Sequence, residues 1–359
     1  MRRGLMAWDS DEIPIAALRQ RVERLQTALV QANQDAIVLY TNFVRSGAVS
    51  YLTAFSPYWA EGVLLVSQQG EPVFATTLSK RVGNWIQSVK PIGELINTPT
   101  PGKALGERLA AQAKMRRVAI LELDNFPSGL YSELAAALPD VEIIDGSESF
   151  AAARGTLDAV EHRLLEKAEA IAKNALEHFR FGLVDVGVAV GAVEVHARLH
   201  GAEEVYVAIA PNLDADRRFI RLSGDRPLGR RFAIRATVAY KGTWVRRTKT
   251  YAPDGKDRSA IVRADAWFEA LLPSLDASRS LHEQIRAAVA ALPDAQLANW
   301  IAEASVGTRP LAVVASSGAP RETVQRIPAL IMTVALNVNG TPWCGAGLLP
   351  SMGVRKESP

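Results

Sequence analysis

Apolar residues at Ile15, Leu18, Val22, Leu25 and Leu29 recur at spacings of three and four, which predicts an amphipathic helix entered at Pro14. Short apolar runs at Ala36–Tyr40, Gly62–Val66 and Pro72–Leu78 read as strands, with Gln69-Gly70 as the hairpin turn between the last two. Val82–Val89 has a helical pattern, and the three prolines between Pro91 and Gly102 predict a loop. Val118–Leu123 predicts a strand, Leu130–Leu138 a helix and Val141–Ile144 a strand. Strands alternating with helices are the pattern of an α/β domain, assigned to residues 1–154.

The texture changes after Arg154. A long helix is predicted over Leu157–Phe181, with Leu164, Leu165, Ala168, Ile171, Ala172, Leu176 and Phe179 on one side, and a second over Val188–Leu199. Four strand-like runs follow: Glu204–Ala210, Phe219–Leu222, Phe232–Tyr240 and Thr243–Tyr251. Two more helices are expected at Ser259–Leu272 and Ala277–Leu292, and strands at Leu311–Ala315 and Ala329–Val338. Residues 155–359 therefore read as an α+β domain.

Lys241-Gly242 lies between two β-rich runs and predicts a two-residue turn. Tyr240 then pairs with Thr243, Thr237 with Arg246, and Arg235 with Thr248. Because side chains alternate across a strand, Arg235, Thr237, Arg246 and Thr248 share one face. Arg235 and Arg246 become diagonal neighbours, close enough to share a ligand. The surroundings are also basic, with Arg217, Arg218, Arg221, Arg226, Arg230, Arg231 and Arg247. In the plain reading these are solvated arginines paired with Asp214, Asp216 and Asp225. In the sharper reading two guanidinium forks on one face form a site for a carboxylate or phosphate.

Composition narrows the classes. A net charge of +3 from 41 basic and 38 acidic residues implies neither nucleic acid nor membrane. No basic stripe interleaved with aromatics runs along the chain, which argues against a nucleic-acid groove. Cys344 is the single cysteine, so an internal disulfide and a cysteine-based zinc site are excluded. Beside Trp343 and Gly345 that thiol reads first as inert. The first residues, MRRGLMAWDSDEIP, have arginines without a following apolar stretch, which is not the pattern of a signal peptide. No run of about 18 apolar residues is present. The default expectation is a cytoplasmic protein.

Several segments together resemble the creatinase / aminopeptidase P / prolidase group, the M24 or pita-bread family. They are Arg19…Arg24-Leu25, Tyr51-Leu52-Thr53 and Gly62-Val63-Leu64-Leu65-Val66; then Glu161, Leu164, Lys167 and Ala168; then Pro227-Leu228-Gly229, Ile234-Arg235, Tyr240-Lys241-Gly242 and Arg246–Thr250. The resemblance implies a creatinase-type N-terminal domain and a pita-bread C-terminal domain, here shortened after the hairpin. Metal-dependent members of that family carry two aspartates on this hairpin, and the resemblance places Arg235 and Arg246 at those positions. It places the family's glutamate ligands near Ala335 and Gly345, and its substrate-facing histidine around Arg217 or Arg218. The loop Val306–Gly318, where the family keeps a histidine ligand, has none. Creatinase works without metal, through a histidine and through glutamates that grip a guanidinium; arginines here would reverse the preferred substrate charge. The resemblance thus implies no metal and no cofactor.

The remaining candidates are weaker. His196 and His200 have the i, i+4 spacing of metal ligands, with Glu204 nearby, but a surface helix end has the same pattern. Glu203 and Glu204 are adjacent and point to opposite faces of a strand. Ser316 and Ser317 precede Gly318 without a supporting His or Asp. Thr308-Arg309 and Arg321-Glu322 lie in the loop that would face the hairpin. The anion candidates are therefore Arg235, Arg246, Arg218, Arg217, Arg309 and Arg321, and no catalytic residue is assigned. Three readings follow: a metal-free scaffold binding an anionic small molecule or a partner; a metal-independent hydrolase or lyase acting on a C–N bond of a carboxylate-bearing small molecule; and a subunit of a homodimer or of a heterodimer with an M24 paralogue.

Overall fold

The computed structural model describes residues 9–349 except 58–59, 89–90, 113–114, 180–184, 253–254, 308–310, 322–323 and 325–326. The chain separates into two compact units, Met1–Val160 and Glu161–Pro359.

The first unit is built from α1 (Ile15–Gln31), β1 (Ala36–Thr41), α2 (Gly47–Thr53), β2 (Gly62–Ser67), β3 (Val73–Thr76), α3 (Gly83–Ser88), β4 (Glu94–Asn97), α4 (Pro101–Ala110), β5 (Arg117–Ile120), α5 (Ser128–Ala137), β6 (Glu142–Asp145) and α6 (Ser147–Arg154). Its six strands form one mixed sheet in the order β4-β3-β2-β1-β5-β6. The β2–β3 turn falls where the sequence puts it, with Gly70 at φ +85. One sheet face packs on α4 and α5 through Leu105, Leu109, Leu130 and Leu134. Three elements had no strong pattern: α2, α6 and α4. Pro101 reads as part of a loop, yet it opens α4, because proline at a first helical position loses no hydrogen bond. β4 also lies inside that predicted loop, as a short strand alongside β3.

A buried cation closes this unit. Arg21 is 3% exposed on the packed side of α1. Its Nε and Nη2 donate to the two oxygens of Asp158 at 2.6 and 3.1 Å, and Nη1 donates to the Tyr51 carbonyl at 2.8 Å. Arg24 adds a third bond to Asp158 at 3.2 Å.

The second unit comprises α7 (Ala159–Glu177), which begins at the division, α8 (Val186–Leu199), β7 (Glu204–Ala210), β8 (Phe232–Tyr240), β9 (Thr243–Tyr251), α9 (Gly255–Leu271), α10 (Leu281–Ala290), β10 (Ala295–Ala304), β11 (Val313–Ser316), β12 (Leu330–Val338) and β13 (Thr341–Leu349). Seven antiparallel strands follow the order β11-β10-β12-β13-β9-β8-β7. Trp300, Met332, Val334, Leu336 and Trp343 point from one face into a core with Phe268, Leu271 and Ile285 of α9 and α10. On the same face Tyr251 donates to the Leu176 carbonyl of α7 at 2.7 Å. The opposite face is the one that carries Arg235 and Arg246.

Phe219–Leu222 does not form a strand: Ile220 makes one isolated bridge to Ile209. The segment is too short and too polar on both sides to extend that pairing. β10 and β13 were missed by pattern. β10 is alanine-rich, and β13 contains Pro342, Gly345 and Gly347, all poor strand formers, but its pairing on both sides decides the conformation. α10 begins at Leu281 rather than Ala277, because Ser280 caps it by accepting from the Glu283 amide at 3.3 Å.

Candidate functional site

The β8–β9 hairpin has the register read from its sequence: Tyr240 opposite Thr243, Thr237 opposite Arg246, Arg235 opposite Thr248. Lys241 and Gly242 both take positive φ, +47 and +77, as the tight mirror-image turns of hairpins require. Glu203, just before β7, holds the turn by accepting from the Gly242 amide at 3.2 Å. Burial pushes that carboxyl up to about 6.

Register across the other strands defines the arginine-bearing face. Arg235 lies opposite Thr248, Thr248 opposite Ala346, Ala346 opposite Thr333, and Thr333 opposite Ile301. A neighbouring row contains Thr237, Arg246, Ile331 and Glu303, and another Thr250, Cys344 and Ala335. The middle of this face is made of small side chains: Ala335, Cys344 and Ala346.

The two arginines are held differently. Arg246 donates from Nε to the Thr237 hydroxyl at 3.1 Å and forms a close ion pair through Nη1 with both oxygens of Glu303. Glu303 is 6% exposed. Three strand steps separate β9 from β10, about 14 Å at a spacing of roughly 4.8 Å. The pair therefore depends on two long side chains laid toward one another over the sheet. Arg235 has no carboxylate at ion-pair distance among the described residues. It donates weakly to the Thr248 hydroxyl at 3.4 Å, and its guanidinium lies 4.0 Å from the centre of the Phe219 ring. Burial, with Arg246 nearby, pulls Arg235 below the ordinary arginine value. Cys344 is buried beneath, and burial pushes its thiol up to about 11 while Arg235 and Arg217 pull it down. The Thr333 hydroxyl is buried and has no hydrogen-bond partner.

The other predicted arginines divide. Arg217 reaches the edge of this face, donating to Asn337 Oδ1 at 2.6 Å. Arg218 does not belong to it: the side chain is 85% exposed and pairs with Asp216 at 2.8 Å. Arg321 is exposed, and none of the described hydrogen bonds or ion pairs brings it to the cluster. Arg309 lies outside the described residues, as do Thr308 and Glu322. The plain reading of the basic stretch holds for Arg231, which pairs with Asp214 at 2.6 Å, as it does for Arg218. Arg247, next to Arg246 in sequence, points to the helix side, where Glu169 and Glu269 neutralise it.

Elsewhere the candidates do not assemble. The rings of His178, His196 and His200 stack, with centroids 4.2 and 4.1 Å apart, so their nitrogens do not converge. Among the described residues no group of three or more His, Cys, Asp or Glu is placed to hold a metal ion. Ser317 donates to Asn299, and Ser316 accepts from the Ala319 amide at 3.1 Å. Glu204 accepts from Tyr206 at 2.5 Å.

The family model for the Creatinase/Prolidase N-terminal domain matches residues 21–155. Residues 21–155 thus form a domain of the creatinase/prolidase N-terminal type. A comparison with curated proteins finds no match. The fold of the whole chain is similar to an Xaa-Pro dipeptidase from Bacillus anthracis at 18% identity, covering 95% of this chain and 98% of that one, with a TM-score of 0.69. A prolidase from Pyrococcus horikoshii OT3 matches at 14% identity over 92% and 94% of the two chains, with a TM-score of 0.67. An X-Pro aminopeptidase from Thermotoga maritima MSB8 matches at 14% identity over 92% and 97%, with a TM-score of 0.64. These likenesses establish a creatinase-type α/β domain followed by a pita-bread domain. With 98% of the dipeptidase chain covered, nearly all of that chain has a counterpart here. No helix among the described residues is long and apolar enough to cross a membrane.

Within the pita-bread domain the positions expected to carry ligand glutamates can be placed. Ala335 lies on the arginine-bearing face. Gly345 does not: an added Cβ there would lie 3.2 Å from Phe268 on the helix side. The residue opposite Ala335 is Cys344, one position earlier. Strand alternation explains the correction, since a shift of one residue moves a side chain to the other face. Sequence reasoning missed Glu303 and Phe219. Neither had a signal, because β10 lacks a strand pattern and Phe219 sits in an irregular segment.

Proposed function

We propose that this chain keeps the pita-bread scaffold as a metal-free binder of an anionic small molecule. The observation that carries the reading is Arg235, a half-buried guanidinium with no carboxylate at ion-pair distance among the described residues. A buried cation without a counter-charge is costly, so the fold retains it where an anion completes it. The donor set also misfits a divalent cation. Hard cations take anionic oxygens and transition metals take carboxylate, imidazole or thiolate. This face instead offers two guanidinium groups, an alanine, a thiol that stays protonated at neutral pH and a carboxylate already engaged by Arg246. Catalysis without metal is less well supported: Glu303, the carboxylate beside the arginines, is tied up by Arg246 and is a poor general base. A partner subunit and a cytoplasmic location fit the same reading as expectations.

The test combines metal analysis with thermal denaturation. The purified chain is expected to hold no stoichiometric Mn, Co or Zn, and its Tm is expected to rise with small anions. Stoichiometric tightly held metal would sink the reading.

A further inference from the structure

The arginine-bearing face has an unequal distribution of charge. Arg246 is neutralised by Glu303 and has a second bond to Thr237. Arg217 is exposed at the edge and is engaged by the neutral Asn337. Arg235 is left as the half-buried positive charge of this face without a carboxylate at ion-pair distance among the described residues. Its approach is also restricted. The Arg235 guanidinium carbon lies 4.0 Å from the centre of the Phe219 ring, so that side is covered and a ligand meets the remaining N–H groups. In-plane N–H bonds in parallel pairs match the two oxygens of a planar carboxylate. Neutral donors complete the surroundings. Thr248 accepts from Arg235 and keeps its own proton to donate, and the Thr333 hydroxyl in the same row is buried without a partner. The floor between them, Ala335, Cys344 and Ala346, is small and bears no charge.

Resting on the anion-binding reading above, we propose that the Arg235 site takes a small monocarboxylate with an uncharged body and discriminates against dianions such as phosphate and sulfate. One charge meets one charge. A dianion would bury a second negative charge with only hydroxyls and, at the exposed edge, the Asn337-bound Arg217 to meet it, and the cost of that desolvation falls on the wrong ligand. Glu303 is the residue that sets this selectivity, because it removes Arg246 from the pool of free cations. Glu303 acts through Arg246 and touches no ligand itself.

The experiment is isothermal titration of the full chain with propionate and with sulfate at matched ionic strength and pH 8. The expected result is a propionate Kd at least about tenfold below that for sulfate. Glu303→Gln frees Arg246 and is expected to tighten sulfate about tenfold while propionate changes little. Arg235→Gln is expected to weaken propionate by about tenfold or more, with near-ultraviolet circular dichroism as the check on folding. If sulfate binds the native chain as tightly as propionate, the monocarboxylate assignment is overturned and anion binding stands. If neither binds, the anion-binding reading itself is overturned. A folded Glu303→Gln chain with no gain for sulfate overturns the role given to Glu303. The comparison of the two anions on the native chain decides the class even if both variants fail to fold.

Discussion

Arg21 in the first domain is a buried guanidinium and Arg235 in the second a half-buried one, and they are completed in opposite ways. Arg21 is closed by Asp158, with two bonds to the carboxylate and a third to a backbone carbonyl. Tyr51 and Arg154 pack around the same point. Arg235 has a ring, one long bond to a hydroxyl and, among the described residues, no carboxylate at ion-pair distance. Arg247 shows that the second domain can neutralise an arginine when the role is structural, since Glu169 and Glu269 both meet it. The difference separates arginines that hold the fold from one that the fold leaves incomplete.

The largest expected effect is on the closed arginine. Asp158→Ala leaves Arg21 buried without its counter-ion and is expected to destabilise the first domain by about 3–5 kcal/mol. Urea denaturation measures it; a loss below about 1 kcal/mol would remove the contrast with Arg235. Glu203 offers an intermediate case, a half-buried carboxylate satisfied mainly by the Gly242 amide. Its folded value of about 6 lies above the ordinary 4.5, so the folded chain keeps a proton that the unfolded chain releases. That contribution is complete below about pH 4.5 and is lost as pH rises through 6. Its size is at most about 2 kcal/mol. Glu203→Gln is expected to flatten stability between pH 4.5 and 7, as read by denaturation at each pH; an unchanged slope would assign the pH dependence elsewhere. The smallest effect is on Arg235 itself. Arg235→Met is expected to raise the stability of the ligand-free chain by about 1 kcal/mol, because an unpaired cation is replaced by a packed apolar chain. Its Tm is then expected to be insensitive to propionate. A marked loss of stability in that variant would make Arg235 structural after all, like Arg21.

Much of this face was legible in the sequence, because a hairpin is local. Lys241-Gly242 and the two-residue period place Arg235, Thr237, Arg246 and Thr248 together without any distant contact. The helix of Ile15 to Leu29 was equally plain, since its apolar spacing is its packing surface. By contrast, the expectation that Arg235 and Arg246 form a matched pair of free forks does not survive, since Glu303 claims one of them. Arg218 fails for a simpler reason: Asp216, two residues away, holds it in solvent.

The sequence by itself determined which face the hairpin arginines share, because side-chain alternation and turn register depend on neighbours along the chain. Only the tertiary structure decided their charge state as a site. Glu303 is 57 residues beyond Arg246 in the chain and reaches it across β12 and β13. The order of strands that permits this is set by how β13, with its glycines, pairs with both β9 and β12. Long-range pairing of that kind leaves no periodic trace in sequence. That pairing, rather than the hairpin, gives Arg246 its carboxylate and leaves Arg235 without one among the described residues.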